Sequence, residues 1–124
     1  MLDIAITGQE PAGRRVTLQG RLDTLTTPQL DGALAPLLGS PEVTSLVFQM
    51  AGLEYISSAG IRCVIRAQRV LADRGGAVAI VGPQPAVRRV FEIVKALPPE
   101  LIFTSQAEFD TSPRDPSRGV GHQP

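Results

Sequence analysis

A chain of 124 residues is one domain's worth of sequence. With 43% hydrophobic residues, 19% charged residues and zero net charge, it has the composition of an ordinary globular protein. Balanced charge, no Trp and a single Tyr argue against nucleic-acid binding, which draws on clustered basic residues and stacking aromatics. No apolar stretch approaches the ~20 residues needed to cross a bilayer. The start, Met1-Leu2-Asp3-Ile4, lacks the basic and apolar regions of a secretory signal. The one cysteine, Cys63, can form neither an internal disulfide nor a multi-cysteine metal site. The expectation is a cytoplasmic protein without membrane insertion or cofactor.

Residues 3–7 and 14–20 both alternate apolar and polar side chains, and the loop-forming stretch 8–13 separates them. Two paired strands follow from that pattern. Thr27-Pro28 reads as a helix start, with Thr27 as N-cap and Pro28 at the first helical position. Leu30, Ala33, Leu34, Leu37 and Leu38 recur at helical spacing, and Gly39 marks the stop. Gly32 and Pro36 weaken this helix, so packing must hold it. Residues 44–50 are mostly apolar, as in a strand buried on both faces.

Over residues 58–74, Ile61, Val64, Ile65, Leu71 and Ala72 share one helix face, and Arg62, Arg66, Arg69 and Asp73 share the opposite one. Gly75-Gly76 ends that helix, and Ala77 to Val81 reads as a short buried strand. Pro85 opens a third helix, with Val87, Val90, Phe91, Val94 and Leu97 on one face. Leu101-Ile102-Phe103 suits a last edge strand, and residues 106–110 one helical turn. The order β-β-α-β-α-β-α-β is that of a single α/β domain over residues 1–110, a central mixed sheet covered by helices. Residues 111–124, with three Pro and no periodicity, read as a disordered tail.

An enzyme needs a catalytic set, and none is legible here. His122, the one histidine, falls in the tail, where no partner can orient it. There is no Gly-x-Ser-x-Gly elbow and no phosphate-binding Gly-x-x-x-x-Gly-Lys-Ser/Thr loop. Cys63 sits mid-helix among apolar residues and reads as a small buried hydrophobe. No spacing demands that Asp23 and Glu54 pair as carboxylates. No catalytic residue and no metal ligand is expected.

One segment stands apart: Leu53-Glu54-Tyr55-Ile56-Ser57-Ser58-Ala59-Gly60-Ile61, joining the buried strand to the Arg-striped helix. Two hydroxyls at a helix start are ordinarily N-caps, worth about 1 kcal/mol. A helix N-terminus also favours a phosphate through its free N–H groups and dipole, and Ala59 and Gly60 leave the hydroxyls sterically open.

That stretch, continued by Arg62-Cys63-Val64-Ile65, resembles the signature of the STAS domain of bacterial anti-sigma factor antagonists. Gly20-Arg21-Leu22-Asp23 resembles the family's Gly-x-Leu/Ile-Asp after the second strand. Gly75-Gly76 and Pro85-Ala86-Val87-Arg88-Arg89-Val90-Phe91 are similar to its later turn and third helix. The resemblance covers residues 3–110 and implies partner switching. The unphosphorylated antagonist binds an anti-sigma factor, often a serine kinase, and so releases a sigma factor. Phosphorylation breaks that complex and a phosphatase resets it. Aligned on Gly60, the acceptor falls on Ser58, with Ser57 as the alternative; Asp23, Ser57, Ser58, Gly60, Arg62 and Arg66 are the expected partner-binding residues. Two departures stand out, because the family commonly has Asp where this chain has Ser57 and Gln49. The resemblance leaves open a second role, as a STAS adaptor in a stressosome or beside a lipid-transport ATPase.

Overall fold

In a computed structural model, which describes residues 1–8, 12–95, 97 and 101–104, those residues form eight elements. They are β1 (Leu2–Thr7), β2 (Gly13–Leu22), α1 (Thr27–Leu38), β3 (Ser45–Ile56), α2 (Ser58–Ala72), β4 (Ala77–Val81), α3 (Pro85–Val94) and β5 (Ile102–Phe103). The single mixed sheet runs β1-β2-β3-β4-β5 in chain order. β1 is antiparallel to β2, and the other pairings are parallel. The β-β-α-β-α-β-α-β reading therefore holds. The helical turn expected at 106–110 and the tail at 111–124 lie outside the described residues.

Side-chain alternation along the central strands sorts the core. Leu46, Phe48 and Met50 of β3, with Val78 and Ile80 of β4, join the main apolar cluster. Leu30 and Leu34 of α1, Ile61, Val64, Ala67 and Leu71 of α2, and Val87 and Phe91 of α3 pack onto it from the helices, and Leu18 and Leu22 of β2 join from the sheet. The intervening Val47, Ala79 and Val81 face the other way and meet Phe103 in a smaller cluster. Each such large side chain contributes about 1.5–3 kcal/mol by leaving water. That is what keeps α1 helical despite Pro36 in its interior.

Several boundaries differ from the sequence reading. α1 starts at Thr27 with Thr26 in the cap position, so Thr27 is the first helical residue rather than the cap, and Pro28 the second. The turn before it is closed by Asp23 instead of a threonine cap. α3 ends at Val94, short of Leu97, because Lys95 adopts a left-handed conformation (φ 57°) and donates its N–H to Phe91. No glycine announces that stop. β2 continues past residue 20 to Leu22 and β3 past residue 50 to Ile56, so Leu53–Ile56 is strand, not connector. These extensions pair with each other (Gln19 with Gly52, Gly20 with Leu53, Arg21 with Tyr55, Leu22 with Ile56) across two register shifts. Bulges of this kind break the alternation by which a strand is recognised.

Candidate functional site

Three β-to-α turns stand at the carboxyl ends of parallel strands, the edge where α/β sheets usually place their functional groups. Gly20 sets up the first. Its φ of 103° suits glycine, and a Cβ there would lie 2.1 Å from the Met1 carbonyl oxygen. Arg21 N–H donates to that same oxygen at 3.0 Å. Beyond this bulge Asp23 closes the turn into α1: its Oδ1 accepts from the N–H of Leu25 at 3.0 Å and of Thr26 at 3.1 Å. The N–H of Thr26, above all, holds the Asp23 carboxyl below its ordinary range; desolvation opposes it, and Leu25, the Thr26 hydroxyl and Arg21 together outweigh that opposition. Asp23 is thus a turn-closing anion, an ordinary structural duty that leaves its Oδ2 outward beside Arg21, 4.0 Å away.

The second turn is locked onto the first. Ser57 N–H donates to the Leu22 carbonyl at 2.9 Å, which ties the start of α2 to the end of β2 next to Asp23. Ser57, in extended conformation, is the N-cap of α2: its Oγ accepts from Gly60 N–H at 3.2 Å. Gly60 is buried, and a Cβ would lie 2.8 Å from Leu22 Cγ and 2.9 Å from Ile56 Cγ1. Glycine is required because the helix start presses against both strands.

Ser58 is the first helical residue. Its side chain is exposed, and its hydroxyl makes no hydrogen bond to the described residues. The two serines therefore divide the roles that the sequence left to either: Ser57 caps the helix, and Ser58 carries a free hydroxyl. Arg62 follows one turn later, exposed and in no ion pair with the described residues. Arg66 is different. Its guanidinium donates to Asp31 Oδ1 of α1 at 2.8 Å, the oxygen that also accepts from the Cys63 thiol at 3.0 Å. Half of the expected Arg62–Arg66 pair is therefore engaged within the molecule. Cys63 is buried, and desolvation, reinforced by Asp31, pushes its thiol up to about 12. Burial and the raised pKa favour the unreactive thiol form over the thiolate.

Gln49 accounts for one departure from the family pattern. β4 stops pairing with β3 at Gln49, and the next outward backbone groups would otherwise face a missing strand. Gln49 Oε1 accepts from Ala51 N–H at 3.0 Å, and Gln84 of the third turn donates to the Ala51 carbonyl at 2.8 Å. Sequence reading also missed Tyr55. The pairing of Arg21 with Tyr55 sets the guanidinium 4.4 Å from the ring centroid, an attraction across strands that begins only after the register shifts. Exposed Leu25, beside Asp23, adds an apolar tip to this surface. Among the described residues no group of His, Cys, Asp and Glu side chains could hold a metal, and no helix is long and apolar enough to cross a membrane.

Comparison with known proteins agrees with this geometry. The architecture is that of the anti-sigma factor antagonist SpoIIAA, solved in its unphosphorylated form, with a TM-score of 0.78 over 95% of this chain and 98% of that one. At 20% identity the likeness is one of fold. A segment of SLC26A9 is similar in fold as well, with a TM-score of 0.64 over 78% of this chain and 19% of that one at 16% identity. Residues 6–96 match the family model described as Mlab, STAS domain; the chain belongs to the STAS domain family. Two relatives by sequence are similar over part of their length. The Anti-sigma F factor antagonist of Lysinibacillus sphaericus is 26% identical over 77 residues, 62% of this chain and 66% of its own. BtrV of Bordetella bronchiseptica, provisionally named an anti-sigma factor antagonist, is 36% identical over 76 residues, 61% of this chain and 65% of its own. The chain thus spans just under two thirds of the length of the curated relatives it matches.

Proposed function

We propose that this protein is an anti-sigma factor antagonist, which binds an anti-sigma factor through the β2–α1 and β3–α2 turns and is switched by phosphorylation at Ser58. The observation that supports the switch is the division of labour between the serines. Capping would explain one hydroxyl at this helix start, and Ser57 supplies it; Ser58 stands exposed with no structural duty. In the reaction the Ser58 oxygen bonds to the γ-phosphorus of ATP, the bond to ADP breaks, and the hydroxyl proton passes to a base of the kinase. The product places about −1.5 to −2 charges on a surface that had been neutral at that point. In a docked interface those charges must be desolvated or paired, which costs several kcal/mol when they are not. Release of the partner follows, and a phosphatase restores the binding form.

The test is a reaction of the purified protein with its cognate kinase, ATP and magnesium, read by mass spectrometry. One phosphate on Ser58, abolished in Ser58→Ala, is expected. Calorimetry should show Ser58→Ala binding as the parent does and Ser58→Asp binding more weakly. Asp is favourable in the first turn of a helix, so a loss of affinity in Ser58→Asp would not arise from unfolding. Phosphate on Ser57 alone would move the site. Full affinity of Ser58→Asp with neither serine phosphorylated would end the switch. Gln49 and Ser57, standing where the family commonly has Asp, favour a second reading as a STAS adaptor of a stressosome or a lipid-transport ATPase. The partner that co-purifies with the tagged chain separates the two.

A further inference from the structure

The three arginines spaced along α2 are not equivalent. Arg66 is held by Asp31 at 2.8 Å. Arg69 lies at the far end of the helix, in its last turn. Arg62 is exposed, in no ion pair with the described residues, and four positions after Ser58 on the same helix. Positions i and i+4 are neighbours on a helix surface, and the order with the anion at i and the cation at i+4 is the favourable one. A guanidinium also presents the donor fork that matches phosphate oxygens.

We propose that Arg62 is the intramolecular receiver of the Ser58 phosphate, so that phosphorylation withdraws this cation from the partner as well as adding negative charge. The inference rests on the reading of Ser58 as the phosphorylated residue. Before modification, Arg62 is an exposed cation in no ion pair with the described residues and is available to an acidic group of an anti-sigma factor. After modification, the phosphate lies one helical turn away and competes for the same guanidinium at far higher effective concentration than a separate protein can offer. Arg62 is then a positioning residue for the phosphate. Arg66 cannot substitute for it while Asp31 holds its guanidinium.

The pairing can be measured without kinase or partner. Phosphoserine is installed at position 58 by genetic encoding, and the ³¹P shift is titrated through its second ionisation, near about pH 6, in the parent, Arg62→Gln and Arg69→Gln chains. The charged groups at the ends of β2 and β3 that adjoin α2 are Arg21, Asp23 and Glu54, with Asp31 of α1 beside Arg66; Arg14 and Arg15 stand at the opposite end of β2. All are common to the three chains, so a difference between chains isolates the substituted arginine. A guanidinium paired with the phosphate favours the dianion. The second pKa should therefore be lower in the parent than in Arg62→Gln by about 0.3 units, the size expected of an exposed i,i+4 ion pair. The difference should shrink at about 1 M salt, and Arg69→Gln should match the parent. Equal values in parent and Arg62→Gln, or the same shift in both variants, would overturn the proposal whatever the kinase reaction returns. A shift specific to Arg62→Gln, with Ser58 unmodified by any kinase, would uphold the pairing and count only against the reading of Ser58 as a natural phosphorylation site.

Discussion

Ser57 and Ser58 are neighbours of identical chemistry, and only the extended backbone of Ser57 (φ −92°, ψ 170°) turns one of them into a cap. Ser57→Ala should cost about 1 kcal/mol through loss of the bond to Gly60 N–H, while Ser58→Ala should leave the urea midpoint unchanged. Equal losses in the two variants would show that both hydroxyls serve the helix. Asp23 calls for a similar separation, since its carboxylate closes a turn and is also expected to meet a partner. Asp23→Asn retains an acceptor for the Leu25 and Thr26 N–H groups but removes the charge. Its fold should lose at pH 7 only the share of stability that the charge contributes, with the larger effect on partner binding. Because the turn holds this carboxyl below its usual range, its contribution is present above about pH 4, the unfolded value. It is lost as pH falls through the lower folded value, and Asp23→Asn should flatten that part of the acid-denaturation profile. Cys63 titrates in the opposite direction. With its thiol pushed up to about 12, it should resist iodoacetamide at pH 8 in the native state and react once urea unfolds the chain. Its folded-state preference for the thiol disappears as pH rises from the ordinary cysteine value of 9.0 towards 12, so native stability should decline in that interval.

Among the elements, α2 carries the candidate site and is tied to its neighbours at both ends. Its N-terminus is pressed onto β2 and β3 at Gly60. The added methyl of Gly60→Ala would meet Leu22 and Ile56 well inside contact distance, an overpacking expected to cost about 1–3 kcal/mol and to displace Ser58. Just beyond its C-terminus, Arg74 donates to the carbonyls of Ser40 at 2.9 Å, Val43 at 2.8 Å and Leu38. One guanidinium therefore satisfies three carbonyls of the α1–β3 connection. Arg74→Ala should cost about 2 kcal/mol in denaturant unfolding, the scale of charge-assisted bonds. Arg74→Lys should recover only part of that, because a single ammonium cannot reproduce the fork. The Arg66–Asp31 pair joins α2 to α1 on an exposed face and contributes under about 1 kcal/mol.

For the molecule as a whole, zero net charge gives no net attraction to a charged partner, so electrostatic effects on binding rest on where the charges are placed. Arg62→Glu alone is then the informative charge reversal, because reversing Arg66 as well would place two carboxylates side by side at Asp31 and disturb the α1–α2 contact. Affinity for the partner should fall in Arg62→Glu, more at about 50 mM salt than at about 500 mM. An equal loss at both would remove Arg62 from the charged part of the interface. The order of the sheet gives the reason these residues meet at all. β2 and β3 are adjacent and parallel, so their carboxyl ends, and the turns carrying Asp23 and Ser58, are brought to the same edge.

Much of this was legible along the chain. The apolar periodicity of α2 and α3, the short buried β4 and the paired alternation of β1 and β2 each depend on contacts that repeat at fixed spacing, and side-chain polarity alone reports them. The resemblance to the family's motifs singled out Asp23, Ser58 and Gly60 as candidates, because each sits at a fixed offset from an element boundary. What only tertiary structure decided are the pairings between distant residues. The choice of Ser57 as cap depends on the Leu22 carbonyl, 35 positions earlier, taking its N–H at 2.9 Å. The extension of β3 to Ile56 depends on bulges in β2, the role of Gln49 on where β4 ends, and the difference between Arg62 and Arg66 on a single carboxylate in α1. Local sequence sets which side chains face in and which face out, through the periods of helix and strand. Which polar group each outward or terminal atom finds is set by the packing of elements against one another, and that is where the free hydroxyl of Ser58 and the free charge of Arg62 were decided.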